Sequence, residues 1–215
     1  MPLKSCETFD LVHLWWADLA RDEPEIGRLH DLISPPERDR AARFRESGSR
    51  RRFVVARGIL RTLLGRYLGR DPADVALTVG GFGKPRLADK QPTLYFNVSH
   101  ADDLAVYAFA GEREVGVDLE RIQEVSEWQA IAASFFDESE TATLNSLAGP
   151  QRTSAFIGAW TRHEALLKVP GRGLGGPCPT ESATFSFCPI KPPAGFAAAL
   201  AIAGPPAVVW DAGFL

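Results

Sequence analysis

Apolar and polar residues change their spacing along this chain in a way that separates strands from helices. Phe9 to Trp16 is rich in aromatic and branched residues, the composition of a strand. Ser34-Pro35-Pro36-Glu37 reads as a helix start, with Ser34 as N-cap, Pro35 in the first turn and Glu37 closing a capping box. That helix carries arginines and is expected to end near Ser47-Gly48. Phe53, Ala56, Leu60, Leu63 and Tyr67 then recur at three- and four-residue spacing, the buried face of a second helix. Gly69 and Asp71-Pro72 stop it.

Short strands follow. Thr93 to Val98 and Leu104 to Ala110 flank a turn at Ser99-His100-Ala101-Asp102-Asp103. Val115 to Glu120 alternates, so Val115, Val117 and Leu119 share one face while Gly116, Asp118 and Glu120 share the other. Asp137-Glu138-Ser139-Glu140 repeats the capping-box pattern and opens a short helix ending at Gly149-Pro150. Gln151 to Val169 is the longest helical pattern, broken by Pro170-Gly171. The remainder is rich in proline and glycine, with two strands expected at residues 183–187 and 196–202. Strand, helices and strands thus occur twice, which predicts an α+β chain of two halves, residues 1–111 and 112–215. No internal sequence repeat is strong enough to establish duplication.

Composition narrows the function. The 215 residues are 45% hydrophobic, enough for a real core. A net charge of −3 argues against a general binder of nucleic acid or membrane surface. No stretch reaches the roughly 20 apolar residues that a membrane span needs. The first residues, Met1 to Glu7, lack the apolar run of a signal peptide. Cys6, Cys178 and Cys188 have no metal-type spacing and predict no disulfide framework. These features predict a cytoplasmic protein. Eleven arginines lie between Arg38 and Arg70. A solvated helix face, a weak nucleic-acid surface and a clamp for a small polyanion all fit them; guanidinium groups suit the last by bidentate contact with phosphate.

The candidate chemistry lies in two segments. Asp118 and Glu120 put two carboxylates on one strand face, and Glu164 and Lys168 sit one helical turn apart. Each pair alone has an ordinary reading, a wet strand face in the first case. The second could be a surface ion pair worth about 0.3–0.5 kcal/mol. Asn97-Val98-Ser99-His100 adds an imidazole at a strand end, and Phe82-Gly83-Lys84-Pro85 adds a projecting lysine in a turn.

Taken in order, these segments resemble a 4′-phosphopantetheinyl transferase of the monomeric, surfactin-synthetase-activating type. The matching pieces are Gly83-Lys84-Pro85, Phe96-Asn97-Val98-Ser99-His100, Gly116-Val117-Asp118-Leu119-Glu120, Phe135-Phe136, Trp160 to Lys168, and Gly171-Arg172-Gly173-Leu174. The resemblance implies a pseudo-dimer of two similar α/β halves, with coenzyme A as co-substrate in the cleft between them. It also implies transfer of the phosphopantetheine arm to a serine of an apo acyl or peptidyl carrier protein, with release of adenosine 3′,5′-bisphosphate. Asp118, Glu120 and Glu164 would be Mg²⁺ ligands, with Mn²⁺ equally acceptable to such a set. Glu164 and Lys168 would be catalytic, Glu164 as general base. Lys84, Pro85, Ser99, His100 and Lys168 would contact the coenzyme, and Arg43 and Arg52 its nucleotide end. Two departures from the family pattern stand out. His163 occupies the position where a lysine is usual, and the short link between the last two expected strands predicts a reduced sheet in the second half. They motivate an alternative, a homologue that binds coenzyme A or a carrier without catalysis.

Overall fold

The computed structural model describes residues 11–81, 83–89, 94–170 and 184–215. The expected first strand is β1 (Leu11–Asp18), with Val12, Leu14 and Trp16 facing one core and Trp15 the other. A helix that the apolar spacing did not predict follows, α1 (Glu23–Leu32). Asp22 caps it by accepting from the Glu25 amide at 2.9 Å. The capping box at Ser34 forms as expected and opens α2 (Pro35–Ala42). Ser47 and Gly48 do not end that helix, however. They begin α3 (Ser47–Leu68), 22 residues long and closed by Gly69 at φ 63°. A hairpin of β2 (Leu77–Val79) and β3 (Pro85–Leu87) leads to β4 (Tyr95–Ala101) and β5 (Leu104–Ala110). The turn between the last two is tighter than expected: Ser99 and His100 belong to β4, and Asp102, at φ 50°, turns the chain.

The second half opens with β6 (Val115–Arg121). Next come α4 (Trp128–Phe135), α5 (Glu138–Ser146) and the 20-residue α6 (Gly149–Lys168). Asp137 caps α5 through the Glu140 amide at 2.7 Å. The chain finishes with β7 (Phe185–Cys188), β8 (Phe196–Ala203) and β9 (Val208–Phe214).

Each half has the same plan. The first sheet contains the order β4-β5-β1, and the second is β7-β8-β6, so in both the half's first strand pairs with the last strand of a later antiparallel pair. In both, one long helix covers one sheet face: α3 in the first half, α6 in the second. The opposite faces meet in a shared core of Val12, Leu14, Val106, Val117, Leu119 and Leu200. This is the two-half α+β fold, and among the described residues the second half's own sheet has three strands. The last strand, β9, crosses back to the first sheet and pairs in parallel with β1. There the Leu215 amide donates to the Trp16 carbonyl at 2.9 Å, and Arg21 donates to the Leu215 carbonyl at 2.9 Å. The last strand of residues 112–215 thus belongs to the first half's sheet.

A carboxylate cluster between the halves

The alternation of β6 decides what the site contains. Its odd-numbered valines and leucine enter the shared core, which turns Gly116, Asp118 and Glu120 toward α6. Gly116 makes the approach possible: a Cβ there would stand 2.2 Å from the Ala165 carbonyl oxygen and 2.7 Å from the Val169 nitrogen. Strand and helix touch backbone to backbone at that point. Two residues further on, Asp118 is 2% exposed. Its Oδ1 accepts from Lys168 Nζ at 2.5 Å and from Ser99 Oγ at 3.0 Å. Lys168 also donates to Ser99 Oγ at 3.2 Å. Asn97 ties β4 to β6 by accepting from the Val117 amide at 2.8 Å. The residues Ser99, Asp118 and Lys168, far apart in sequence, form one polar node at the junction of the halves.

Glu120 and Glu164 flank this node, where burial acts first and neighbouring charge second. Burial, together with the Asp118 and Glu164 charges, pushes Glu120 up to about 6, against the pull of Lys168. Burial likewise raises Glu164, with Lys168 opposing and Asp118 adding to the rise. Among the described residues, Asp118 Oδ2 and Glu164 Oε1 are buried with no hydrogen-bond partner. A buried acceptor left unpaired costs about 1–3 kcal/mol, more when charged. Three carboxylates and one ammonium sum to −2 when all are ionised. Among the described residues no three ligating side chains converge as a preformed metal cage. The donor set nevertheless fits a hard divalent cation, which takes carboxylate oxygens and keeps several waters.

Beside the node, α2, α3, β4 and the β2–β3 hairpin enclose a cavity of about 180 Å³, lined by Arg40, Phe53, Arg57, Gly83, Pro85 and His100 among others. The Arg40 and Arg57 guanidinium carbons stand 5.3 and 5.6 Å from the centre of the Phe53 ring. Glu37 holds Arg57 at 3.4 Å and the buried Arg61 at 2.7 Å, so the cavity wall is anchored from behind. Partial enclosure lowers His100 below its ordinary value, aided by the positive charges of Lys168 and Arg52.

The residues expected from the sequence are not all brought together. Asp118, Lys168 and Ser99 meet, with Glu120 and Glu164 beside them. Pro85 and His100 line the cavity. Arg43 does not; it is the exposed C-cap of α2. Arg52 lines a separate open groove of about 460 Å³ and is paired with Asp103 at 2.7 Å. The Lys84 ammonium donates to three backbone carbonyls instead of projecting freely. His163 lies against the exposed Phe135 and the Trp160 ring, with centroids 5.3 and 6.0 Å away, and burial lowers its pKa. Gly171 to Leu174 fall outside the described residues. From the sequence, Phe53 was expected only on the buried helix face, and Arg40 and Arg57 were not told apart from the other arginines of their run. Their signal was the placement of Phe53 and Arg57 four residues apart on one helix, facing an arginine from another.

The comparisons with known proteins define the class. Residues 114–205 match the family model of the 4′-phosphopantetheinyl transferase superfamily, and residues 21–112 match that of the 4′-phosphopantetheinyl transferase N-terminal region. The chain belongs to the 4′-phosphopantetheinyl transferase family and is an enzyme of that class. It is 37% identical to the 4′-phosphopantetheinyl transferase HetI of a Nostoc species, over 91% of this chain and 89% of that protein. It is 28% identical to the 4′-phosphopantetheinyl transferase Sfp of Bacillus subtilis, over 75% of this chain and 70% of that one. AcpT of Salmonella typhimurium, another named 4′-phosphopantetheinyl transferase, is 35% identical over 52% of this chain and 56% of its own length.

Proposed function

We propose that this protein moves the 4′-phosphopantetheine arm of coenzyme A onto the serine hydroxyl of an apo acyl or peptidyl carrier protein. The reaction is an in-line displacement. The serine oxygen forms a bond to the β-phosphorus, the P–O bond to the other phosphate breaks, and adenosine 3′,5′-bisphosphate leaves. The serine proton passes to a base. The observation that carries this reading is the pair of buried oxygens on Asp118 and Glu164, without a partner among the described residues, beside the Lys168 ammonium.

Asp118, Glu120 and Glu164 would hold Mg²⁺. When bound, the ion supplies charge neutralisation for the diphosphate. The chain's own groups do the rest. Glu164 accepts the serine proton at its carboxylate, directly or through water. Lys168 is held by Asp118 and Ser99, and its ammonium orients the phosphate oxygens next to Glu164. Arg40, Arg57 and His100 bind the phosphate at the nucleotide end of coenzyme A, while Phe53 and Pro85 give the base an apolar wall. We assign the protein to the cytoplasm, acting as a monomer, with residues 1–111 supplying the nucleotide contacts and residues 112–215 the metal ligands. No described helix is long and apolar enough to cross a membrane.

Calorimetric titration of Mg²⁺ into the protein with coenzyme A present tests the metal assignment. The wild type should bind one ion, and Glu164→Gln and Asp118→Asn should each weaken binding at least tenfold. Unchanged affinity in both variants would refute this ligand set.

A further inference from the structure

The β2–β3 hairpin reaches from the first half and closes on the end of α6. Lys84, in its turn, sends its ammonium to three backbone carbonyls: Val115 at 2.9 Å, Lys168 at 2.6 Å and Val169 at 2.9 Å. Two residues on, Arg86 donates to the Pro170 carbonyl at 2.8 Å and pairs with Glu114 at 3.7 Å. The turn itself is fixed by the Gly80 amide on the Lys84 carbonyl at 2.9 Å, and by Gly83 at φ 85°.

The last carbonyls of a helix have no partner within the helix, and they carry the negative end of its dipole. Lys84 meets both needs of α6. Burial lowers its pKa to about 8, with the Glu114 charge favouring the ammonium, so all three protons are present at neutral pH. Those three protons are already engaged, which leaves none for a phosphate. The third carbonyl, Val115, begins the strand that carries Asp118 and Glu120. The other two end the helix that carries Glu164 and Lys168. Gly116 supplies the close approach of strand and helix, and Lys84 bonds the backbone of both beside it.

We propose that Lys84 is a positioning residue for phosphopantetheinyl transfer. It fixes the end of α6 against the start of β6 and so sets the reach of Lys168 and Glu164 to the β6 carboxylates, without touching coenzyme A. The inference rests on the transferase reading above and adds to it a role for the hairpin.

Kinetics separate the two roles a lysine could have here. Loss of a phosphate ligand raises KM for coenzyme A, whereas loss of a positioning group lowers kcat. Lys84→Met keeps the stem and removes the donors. It should lower kcat tenfold or more with KM within twofold, and Lys84→Arg should recover at least threefold of that loss. In a Lys168→Ala background the same Lys84→Met change should cost less than it does in the wild type, because one of the two positioned groups is gone. Hydrogen exchange of the amides at residues 165–169 should rise at least tenfold in Lys84→Met, whatever the activity. A tenfold rise in KM with kcat unchanged would make Lys84 a ligand and overturn the inference. So would exchange at residues 165–169 equal to wild type. A wild type that modifies no carrier would instead sink the transferase reading, while the exchange measurement still decides what Lys84 holds.

Discussion

Lys168 reaches Asp118 across the gap between α6 and β6, and its Nζ stands 2.5 Å from Oδ1 of a carboxylate that is 2% exposed. The same carboxylate keeps Oδ2 without a partner among the described residues. One oxygen is therefore committed to the lysine and the other is available to a cation or a substrate. Removing Lys168 would leave a buried anion with only the Ser99 hydroxyl, whereas removing both charges would leave neither stranded. Lys168→Met is expected to destabilise the metal-free protein by about 3 kcal/mol, the usual scale for breaking a buried pair. The Lys168→Met/Asp118→Asn double variant should recover at least half of that in denaturant unfolding. Equal loss in both would mean the ion pair is not what couples them.

Gly116 should tolerate no side chain. Its Cβ would meet backbone atoms of α6, which cannot swing aside as a flexible side chain can. Gly116→Ala is expected to cost at least about 2 kcal/mol in thermal unfolding, within the range for overpacked cores. It should also lower kcat, because the helix that moves carries Glu164 and Lys168. A fully stable and fully active variant would show that α6 can shift freely.

The metal-free protein should carry a pH signature from Glu120. Its folded pKa of about 6 lies above the ordinary 4.5. Between those values the folded state holds a proton that the unfolded chain has released, so this group's contribution to stability falls as pH rises through the window. Glu120→Gln removes the effect. In chelator, the variant and the wild type should be equally stable near pH 4, and the variant should be more stable by on the order of 1 kcal/mol above pH 7. A gap that does not change with pH would assign the stability difference to something other than charge.

The cavity assignment separates neighbouring arginines. Arg40 lines it and Arg43 does not. Arg40→Ala should raise KM for coenzyme A about tenfold, the loss of one charge-assisted phosphate contact, with kcat unchanged. Arg43→Ala should change KM less than twofold. The reverse order would move the nucleotide end out of this cavity.

His163 offers a gain of function. It is half-buried against Phe135 and Trp160 with its pKa lowered, so it is neutral at pH 7. Lysine could keep that packing with its stem and carry an ammonium to the surface. His163→Lys is expected to lower KM for coenzyme A about threefold above pH 7, the size of a modest exposed ion contact. An unchanged or higher KM would mean the imidazole is adapted to this site.

Much of the site could be read from the sequence because its signals are local. Alternation along residues 115–120 put Asp118 and Glu120 on one face, helical spacing put Glu164 and Lys168 on another, and capping chemistry placed the starts of α2 and α5. What could not be read depends on contacts distant in sequence. Lys84 looks like a solvated turn residue until elements some 30 and 85 residues later supply its three acceptors. The strand β9 pairs with β1 about 200 residues away, and its exposed Val208, Trp210 and Phe214 mimic an irregular tail. The helix α1 buries only Leu29, too little to give a periodic pattern. Arg43 and Arg52 were indistinguishable from Arg40 and Arg57 in an arginine-rich run, since only tertiary packing decides which of them faces the cavity.

The central claim is that the cluster of Asp118, Glu120, Glu164 and Lys168 transfers phosphopantetheine. Mass spectrometry of a panel of apo acyl and peptidyl carrier proteins, incubated with this protein, coenzyme A and Mg²⁺, tests it most directly. At least one carrier should gain one phosphopantetheine on its serine, with one equivalent of adenosine 3′,5′-bisphosphate released, and Asp118→Ala and Glu164→Ala should lose most of that activity. No modified carrier, in samples that an active transferase of this family does modify, would contradict the account.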